Sequence, residues 1–412
     1  MTLIQSWVAS ANAPDHPFPL NNLPYGVFST TGARRLGVAI GDHILDVAMI
    51  AGDLPLGQDV LCDPRGWNSV MEQPREVWHA LRAALTDVLR SGAPERHDAL
   101  VPQADATMHM PFQVTEFTDF YASRDHTQNV GTMLRGADNA LPPNWLHIPI
   151  GYNGRASSVV ASGTQVTRPW GQIKGPEDTA PRWAPSQKFD IELELGAIVG
   201  TPSNGPIGVA QADANIFGYV LLNDWSARDI QAWEYQPLGP FQSKATATTI
   251  GQWIVTTEAL AGFRCETPAR TEPLLPHLRD CGPMLFDIDL TVALNGHTIA
   301  KTNANTLYYS AAQQLAHHTT SGCPMRTGDL LGSGTISGPD PDNRGCLMEL
   351  TWGAKDPLSL PDGTMRGYLQ DGDQVSLTGK AVGNGFSIGF GHCDGTIAPA
   401  GPDPIGDSCR TQ

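Results

Sequence analysis

Apolar and polar residues alternate in short runs along most of this chain. "KFDIELELGAIVG", "IFGYVLLNDW", "FDIDLTVALNG", "DLLGSGTISG", "CLMELTWG" and "DQVSLTG" are short strand-like runs, alternating in "DIELEL", which predicts a strand-rich chain. Residues 20–50 mix short apolar runs with Gly turns, the pattern of a small β-barrel-like unit. Three stretches show helical 3–4 spacing instead. They are residues 76–95, beginning "EVWHALRAALTDVLRSG" with a glycine placed to cap the end, then "WSARDIQAWEY" and "TLYYSAAQQLAHHTTSG". "LVPQADATMHMP" predicts a linker, and the pattern divides the chain into 1–110, 111–400 and a tail at 401–412 expected to be disordered. The expected class is mixed β with few helices.

Charge narrows the partners. A formal net charge of -16 disfavours nucleic acid and anionic membranes, which both need a clustered basic footprint. An anionic substrate would therefore have to be held by local Arg and Lys. The opening residues "MTLIQSWVAS" lack the features of a signal peptide, and no stretch of about 18 apolar residues occurs that could span a membrane. The seven cysteines form no CxxC pair, which suits reduced thiols in a cytoplasm better than a disulfide framework or a structural zinc site.

Candidate chemistry lies in four segments. "TDFYASRDHTQN" packs Asp119, Tyr121, Arg124, Asp125, His126 and Asn129 into twelve residues. In "DIELEL" a strand turns Glu192 and Glu194 to one face, roughly 6.6 Å apart, as a solvated edge or as two oxygen donors for a hard cation. In "NDWSARDIQAWEYQP" a helix would align Asp224, Arg228, Gln231 and Tyr235 in one stripe facing a cavity or solvent, with Trp225, Ile230 and Trp233 packed away and Pro237 ending the helix. Lys244 follows in a Thr-rich loop whose oxygens could reach a cation, although surface lysine is the blander reading. "GSGTISGPDPDNRGCLMELTW" reads as strand, tight turn and strand, with Glu349 in so apolar a run that it needs a partner, for which His126 is available.

Two other motifs point elsewhere. "GFSIG" matches the G-x-S-x-G nucleophile elbow at Ser387, but the "FGHCDGTIAPAGPDP" after it cannot form the required helix. His317 and His318 end a helical pattern before Gly322, so a helix C-terminal role outweighs metal binding.

Taken together, "DFYASRDHTQNVGTMLRG", "NWLHIPIGYNGRASSVV", "ELELG", "NDWSARDIQAWEYQPLGPF", "SGTISGPD" and "GFSIGFGHC" resemble the fumarylacetoacetate hydrolase family over nearly the whole chain. The N-terminal "SWV…FPLNNLPYGVFS" resembles the long form of that family rather than its shorter relatives. The resemblance implies a small SH3-like N-terminal domain, a C-terminal mixed β-sandwich roll and a homodimer. It implies a calcium or magnesium ion on Asp119, Glu192, Glu194 and Asp224, and a second cation site drawing on Asp224, Lys244 and Thr248. It assigns a catalytic pair to His126 and Glu349, oxyanion donors to Arg228, Gln231 and Lys244, and substrate contacts to Tyr121, Arg135, Tyr152, Gln231, Tyr235 and Thr335. The implied reaction is hydrolysis of a carbon–carbon bond in fumarylacetoacetate to fumarate and acetoacetate, the last step of tyrosine and phenylalanine breakdown. A related acylpyruvate-type hydrolase, a serine hydrolase using Ser387 and a non-catalytic binding relative are the competing readings. The chain departs from the family at Asn153, where histidine is common, and in "ATATT" after Lys244.

Overall fold

The central element is a curled sheet whose middle strands are buried on both faces. The computed structural model describes residues 2–406; positions 407–412 of the expected tail lie outside the described residues. Across this sheet the strands run Gly151–Asn153, Phe117–Phe120, Leu330–Gly332, Leu193–Val199, Ile216–Asp224, Thr248–Ile250 and Val159–Ala161, with Val255–Thr256 also pairing to Ile216–Asp224. Side chains alternate faces along a strand. Leu195, Ala197, Val199, Tyr219 and Leu221 therefore pack into one core, and Ile198, Val220 and Leu222 into another. Two-sided burial explains why "IFGYVLLND" is almost continuously apolar.

The first core lies against a second sheet, ordered His297–Asn303, Asp289–Leu294, Gln374–Val382, Ser387–Ala398 and Gln165–Thr167. Ser387 begins that twelve-residue strand, so the "GFSIG" segment has no strand–turn–helix geometry. The second core is closed by the N-terminal residues. There a five-stranded sheet, ordered Leu100–Pro102, His43–Asp46, Arg35–Ile40, Tyr25–Ser29 and Thr107–His109, packs with the helix Arg75–Leu89. That helix buries Trp78, Leu81, Leu85 and Leu89 at 3–4 spacing, and Trp78 meets Phe217 of the central sheet edge-on at 5.0 Å. It ends in an extended Arg90, so Gly92 lies beyond the end rather than capping it.

Residues 100–111 are not a linker. They supply two strands of the N-terminal sheet, pairing with His43–Asp46 and Tyr25–Ser29. Their short polar runs carried no alternation because three-residue strands are too brief to show a period. The helix Ala311–Thr319 forms where expected, started by Ser310 and Gln313, which cap each other's backbone. His317 and His318 occupy its last turn. Among the described residues no helix is long and apolar enough to cross a membrane, and no cysteine is paired.

Candidate active site

Four carboxylates meet at one end of the central sheet, on the face that holds Ile198, Val220 and Leu222 farther along. Asp119, Glu192, Glu194 and Asp224 are all buried, each with an oxygen within 4.8 Å of the others'. Strand pairing brings them together: Asp119 lies opposite Gly332, Glu194 opposite Leu222, and Asp224 opposite Thr248. The solvated-edge reading of Glu192 and Glu194 is thereby excluded. Gly332 makes the convergence possible, since a Cβ there would lie 2.4 Å from Asp119 Oδ1 and 2.9 Å from Glu194 Oε2. Gly334, at φ +74°, turns its N–H to Glu194 Oε2 at 2.9 Å and Asp119 Oδ1 at 3.2 Å.

Asp224 ends a strand and does not begin a helix. The helix spans Arg228–Glu234, so the expected stripe keeps Arg228 and Gln231 but loses Asp224, and Arg228 pairs with Asp190 and Glu192 rather than with a residue four positions back. The apolar run into Asp224 belongs to the strand, and helical spacing was coincidental beyond its end. Trp225 and Ile230 are buried as expected, whereas Trp233 is 43% exposed, with Lys174 over its ring.

The electrostatics fit a cation. Burial and then Asp224 push Asp119 well above the usual carboxylate range, and burial and Asp119 do the same for Glu194. Burial also raises Glu192, but Lys244 and Arg228 outweigh it and hold that carboxyl at about 2. Lys244 is buried and protonated, its Nζ on Glu192 and 2.9 Å from Asp224. It is no surface lysine, and a protonated ammonium has no lone pair for a metal, so through its side chain it neutralises charge rather than ligating. The Lys244 ammonium and an Arg228 guanidinium shared with Asp190 do not balance the four carboxylates, and a divalent ion would offset the negative charge that remains. Glu194 Oε1 is buried without a hydrogen-bond partner, an open donor for such an ion. Tyr152 donates to Asp224 Oδ2 at 2.6 Å and Thr248 to Asp224 Oδ1 at 2.8 Å, which orients that carboxylate.

Beside the cluster stands a histidine–carboxylate pair. "TDFYASRDHTQN" is not one loop. The strand Phe117–Phe120 carries Asp119, Ser123 caps the helix Arg124–Arg135 by accepting from the His126 N–H at 3.3 Å, and His126 lies in that helix's first turn. His126 Nδ1 is 2.5 Å from Glu349 Oε2. Glu349 sits on a short helix, Leu347–Leu350, rather than the expected strand; Asp190 Oδ1 and Oδ2 accept from the first two N–H groups of that helix at 2.8 and 3.0 Å. Burial raises the Glu349 carboxyl, but His126 and hydrogen bonds from Asn129 and Ser337 bring it to about 2, an anion.

A cavity of about 390 Å³ opens between the carboxylates and the pair, lined by Asp119, Tyr121, His126, Arg135, Tyr152, Glu192, Arg228, Gln231, Tyr235, Lys244 and Thr335. Glu194, Asp224, Thr248 and Glu349 stand behind that wall, bonded to it as described. Tyr121 packs edge-on against His126 with ring centroids 5.3 Å apart. Gln231 accepts from Arg228 at 3.1 Å, which leaves its amide N–H groups to donate. Thr335 Oγ1 and Arg228 Nη2 are buried without partners, as polar atoms awaiting a ligand would be. Arg135 differs from expectation. Its Nε and one Nη bond the carbonyls of Asn139 and Ala140 at 3.1 and 2.6 Å, so part of its fork closes the helix end.

The sequence reading missed Asp190, Ser337, Cys346 and the role of Asn129. Asp190 binds Arg228 and starts the Glu349 helix at once. Asn129 had a legible signal, the one-turn spacing from His126. Cys346 lies one turn before Glu349, a contact hidden by reading that segment as strand, and Ser337 reaches Glu349 across the turn between them.

A curled sheet that gathers four buried carboxylates beside a histidine–glutamate pair, under one cavity, defines a hydrolase built to work with a divalent cation. The family pattern described as fumarylacetoacetase N-terminal matches residues 21–111, and that described as fumarylacetoacetate hydrolase C-terminal matches 115–398. The fumarylacetoacetase of Homo sapiens is 46% identical, covering 94% of this chain and 98% of its own. That of Caenorhabditis elegans is 47% identical over 93% and 97%, and that of Arabidopsis thaliana 44% over 98% and 100%. The chain belongs to the fumarylacetoacetate hydrolase family. Solved structures with the same fold include a fumarylacetoacetate hydrolase from Exiguobacterium antarcticum, with TM-score 0.53 and 16% identity over 92% of this chain and 99% of that one. A maleylpyruvate hydrolase from Sphingobium sp. SYK-6, solved with manganese(II) and pyruvate, has the same score and identity over 92% and 100%.

Proposed function

We propose that this protein hydrolyses the carbon–carbon bond of 4-fumarylacetoacetate, giving fumarate and acetoacetate in tyrosine and phenylalanine catabolism. The observation that carries the reading is the His126–Glu349 pair facing the carboxylate cluster across one cavity, in a chain related end to end to fumarylacetoacetases.

A calcium or magnesium ion held by Asp119, Glu192, Glu194 and Asp224 would supply Lewis-acid polarisation of the diketone oxygens. His126 takes a proton from water on Nε2, while Glu349 holds Nδ1 and stabilises the imidazolium. The hydroxide adds to the carbonyl carbon of the fumaryl group, which becomes the new carboxylate of fumarate. Arg228, Gln231 and Lys244 surround the resulting oxyanion with donors. The carbon–carbon bond then breaks, its electron pair leaves on the acetoacetate carbon as an enolate, and that enolate is protonated as the His126 imidazolium gives up the proton it took from water. Tyr121, Arg135, Tyr152, Tyr235 and Thr335 contact the substrate. A second cation would draw on Asp224, Lys244 and Thr248.

The finer architecture belongs to the same reading: an SH3-like barrel in residues 1–110, a β-sandwich roll in 111–400, a homodimer and a cytoplasmic location. The decisive experiment assays purified protein with fumarylacetoacetate by loss of diketone absorbance, with and without EDTA. No turnover in the presence of added Ca²⁺ or Mg²⁺ would overturn the assignment.

A further inference from the structure

Glu234 ends the helix that carries Arg228 and Gln231, and its carboxylate reaches across to the returning chain. Oε1 accepts from the N–H groups of Phe241 and Ser243, both at 2.8 Å, and Oε2 from that of Gln242 at 3.1 Å. These three consecutive amides lead into the single 3₁₀ turn Gln242–Lys244, whose first N–H groups have no carbonyl of their own turn to meet. Between the two anchors the chain swings outward through Pro237, Gly239 and Pro240, with Leu238 94% exposed and Phe241 65% exposed. It then dives inward to bury Ser243 and Lys244. Inside the excursion, Gly239 N–H donates to the Tyr235 carbonyl at 2.7 Å and shapes its outward turn. The Glu234 carboxylate ties the returning end back to the helix, one residue before Lys244, whose Nζ meets Glu192 and Asp224.

We propose that Glu234 is a positioning residue that fixes Lys244 relative to Arg228 and Gln231. The three groups facing the developing oxyanion are then held as one unit, by a helix end and a turn that share a carboxylate. The inference rests on the role proposed above for Lys244. An amide keeps one acceptor atom, which can hold Phe241 and Ser243 only without the negative charge, and turns an NH₂ toward the Gln242 N–H, so Glu234→Gln weakens the staple with little change in size.

Glu234→Gln should lower kcat at least about 10-fold with KM changed less than about 3-fold, because the interaction matters mainly in the transition state. Glu234→Asp should recover part of the loss. In a Lys244→Met background, Glu234→Gln should cost nothing further in single-turnover rate, since both changes remove the same interaction. Hydrogen exchange on the full-length protein should show faster exchange at Phe241, Gln242 and Ser243 in Glu234→Gln, or in Glu234→Asp if the glutamine variant does not fold. Unchanged exchange at those amides, or an equal loss in both backgrounds, would overturn the proposal. The exchange measurement needs no turnover, so an inactive wild-type protein would defeat the reaction assignment while leaving the staple to be judged by itself.

Discussion

His126 Nδ1 and Glu349 Oε2 lie 2.5 Å apart although 223 residues separate them in the chain, and both side chains are buried. Glu349 also accepts from Ser337 at 2.8 Å and from Asn129 at 2.9 Å. The carboxylate is thus fixed from three sides, and the imidazole is fixed by it. The ring nitrogen facing the cavity is left to exchange a proton with water.

His126→Ala should lower kcat by about 100-fold or more, the usual worth of a positioned general base. Glu349→Gln should fall less, because the histidine remains but its imidazolium loses the facing anion. Steady-state kinetics on the two variants checks this; a His126 variant at the wild-type rate would put the base elsewhere.

Stability should carry the signature of Glu349. Its folded-state pKa, about 2, lies below the ordinary 4.5, so its contribution is complete above about 4.5 and fades as pH falls toward about 2. Glu349→Gln should therefore melt below wild type at pH 7, and the gap in Tm should narrow steadily from pH 5 to pH 3. A gap independent of pH over that range would mean that the carboxylate is not held as an anion.

Removing divalent cations should abolish activity and lower Tm. Asp119, Glu192, Glu194 and Asp224 crowd together, with Lys244 and Arg228 covering only part of their charge. Adding back Ca²⁺ or Mg²⁺ should raise Tm with concentration, by about 2.7 kcal/mol of stability at 100 times Kd. Full activity in protein shown metal-free by elemental analysis would refute the cation site.

Arg135 should show two effects at once. Two of its donors hold carbonyls at the end of its helix, and its side chain also lines the cavity. Arg135→Lys loses the planar fork and should lower Tm while raising KM for the dianionic substrate, with kcat falling less than in His126→Ala. A lower Tm with unchanged KM would leave Arg135 as a helix cap alone.

Asp190 should prove costly to neutralise. It is fully buried, pairs with Arg228 at 2.9 Å and accepts two N–H groups of the Glu349 helix. Asp190→Ala would leave a buried guanidinium short of one partner and should destabilise by about 3–5 kcal/mol in denaturant unfolding. A loss under about 1 kcal/mol would show that Glu192 alone suffices for Arg228.

Local order was largely legible in the chain. Short strand-like runs marked Leu193–Val199, Ile216–Asp224 and Asp289–Leu294, and 3–4 spacing marked Arg75–Leu89 and Ala311–Thr319, because these patterns follow from backbone geometry within a few residues. The family motifs also singled out the residues that line the cavity. What periodicity could not decide was where an element stops. "NDWSARDIQ" has helical spacing throughout, yet its first residues close a strand and only Arg228 onward is helix, because sheet pairing with Thr248–Ile250 claims Asp224. "CLMEL" reads as a strand by composition and becomes a helical turn because Asp190, 157 positions away, accepts its first N–H groups. Burial was equally beyond the sequence: Glu192, Glu194 and Lys244 have the composition of a surface, and only the distant segments gathered around them, which carry Asp119, Tyr152, Arg228 and Gly334, remove them from water and make their charges interact strongly.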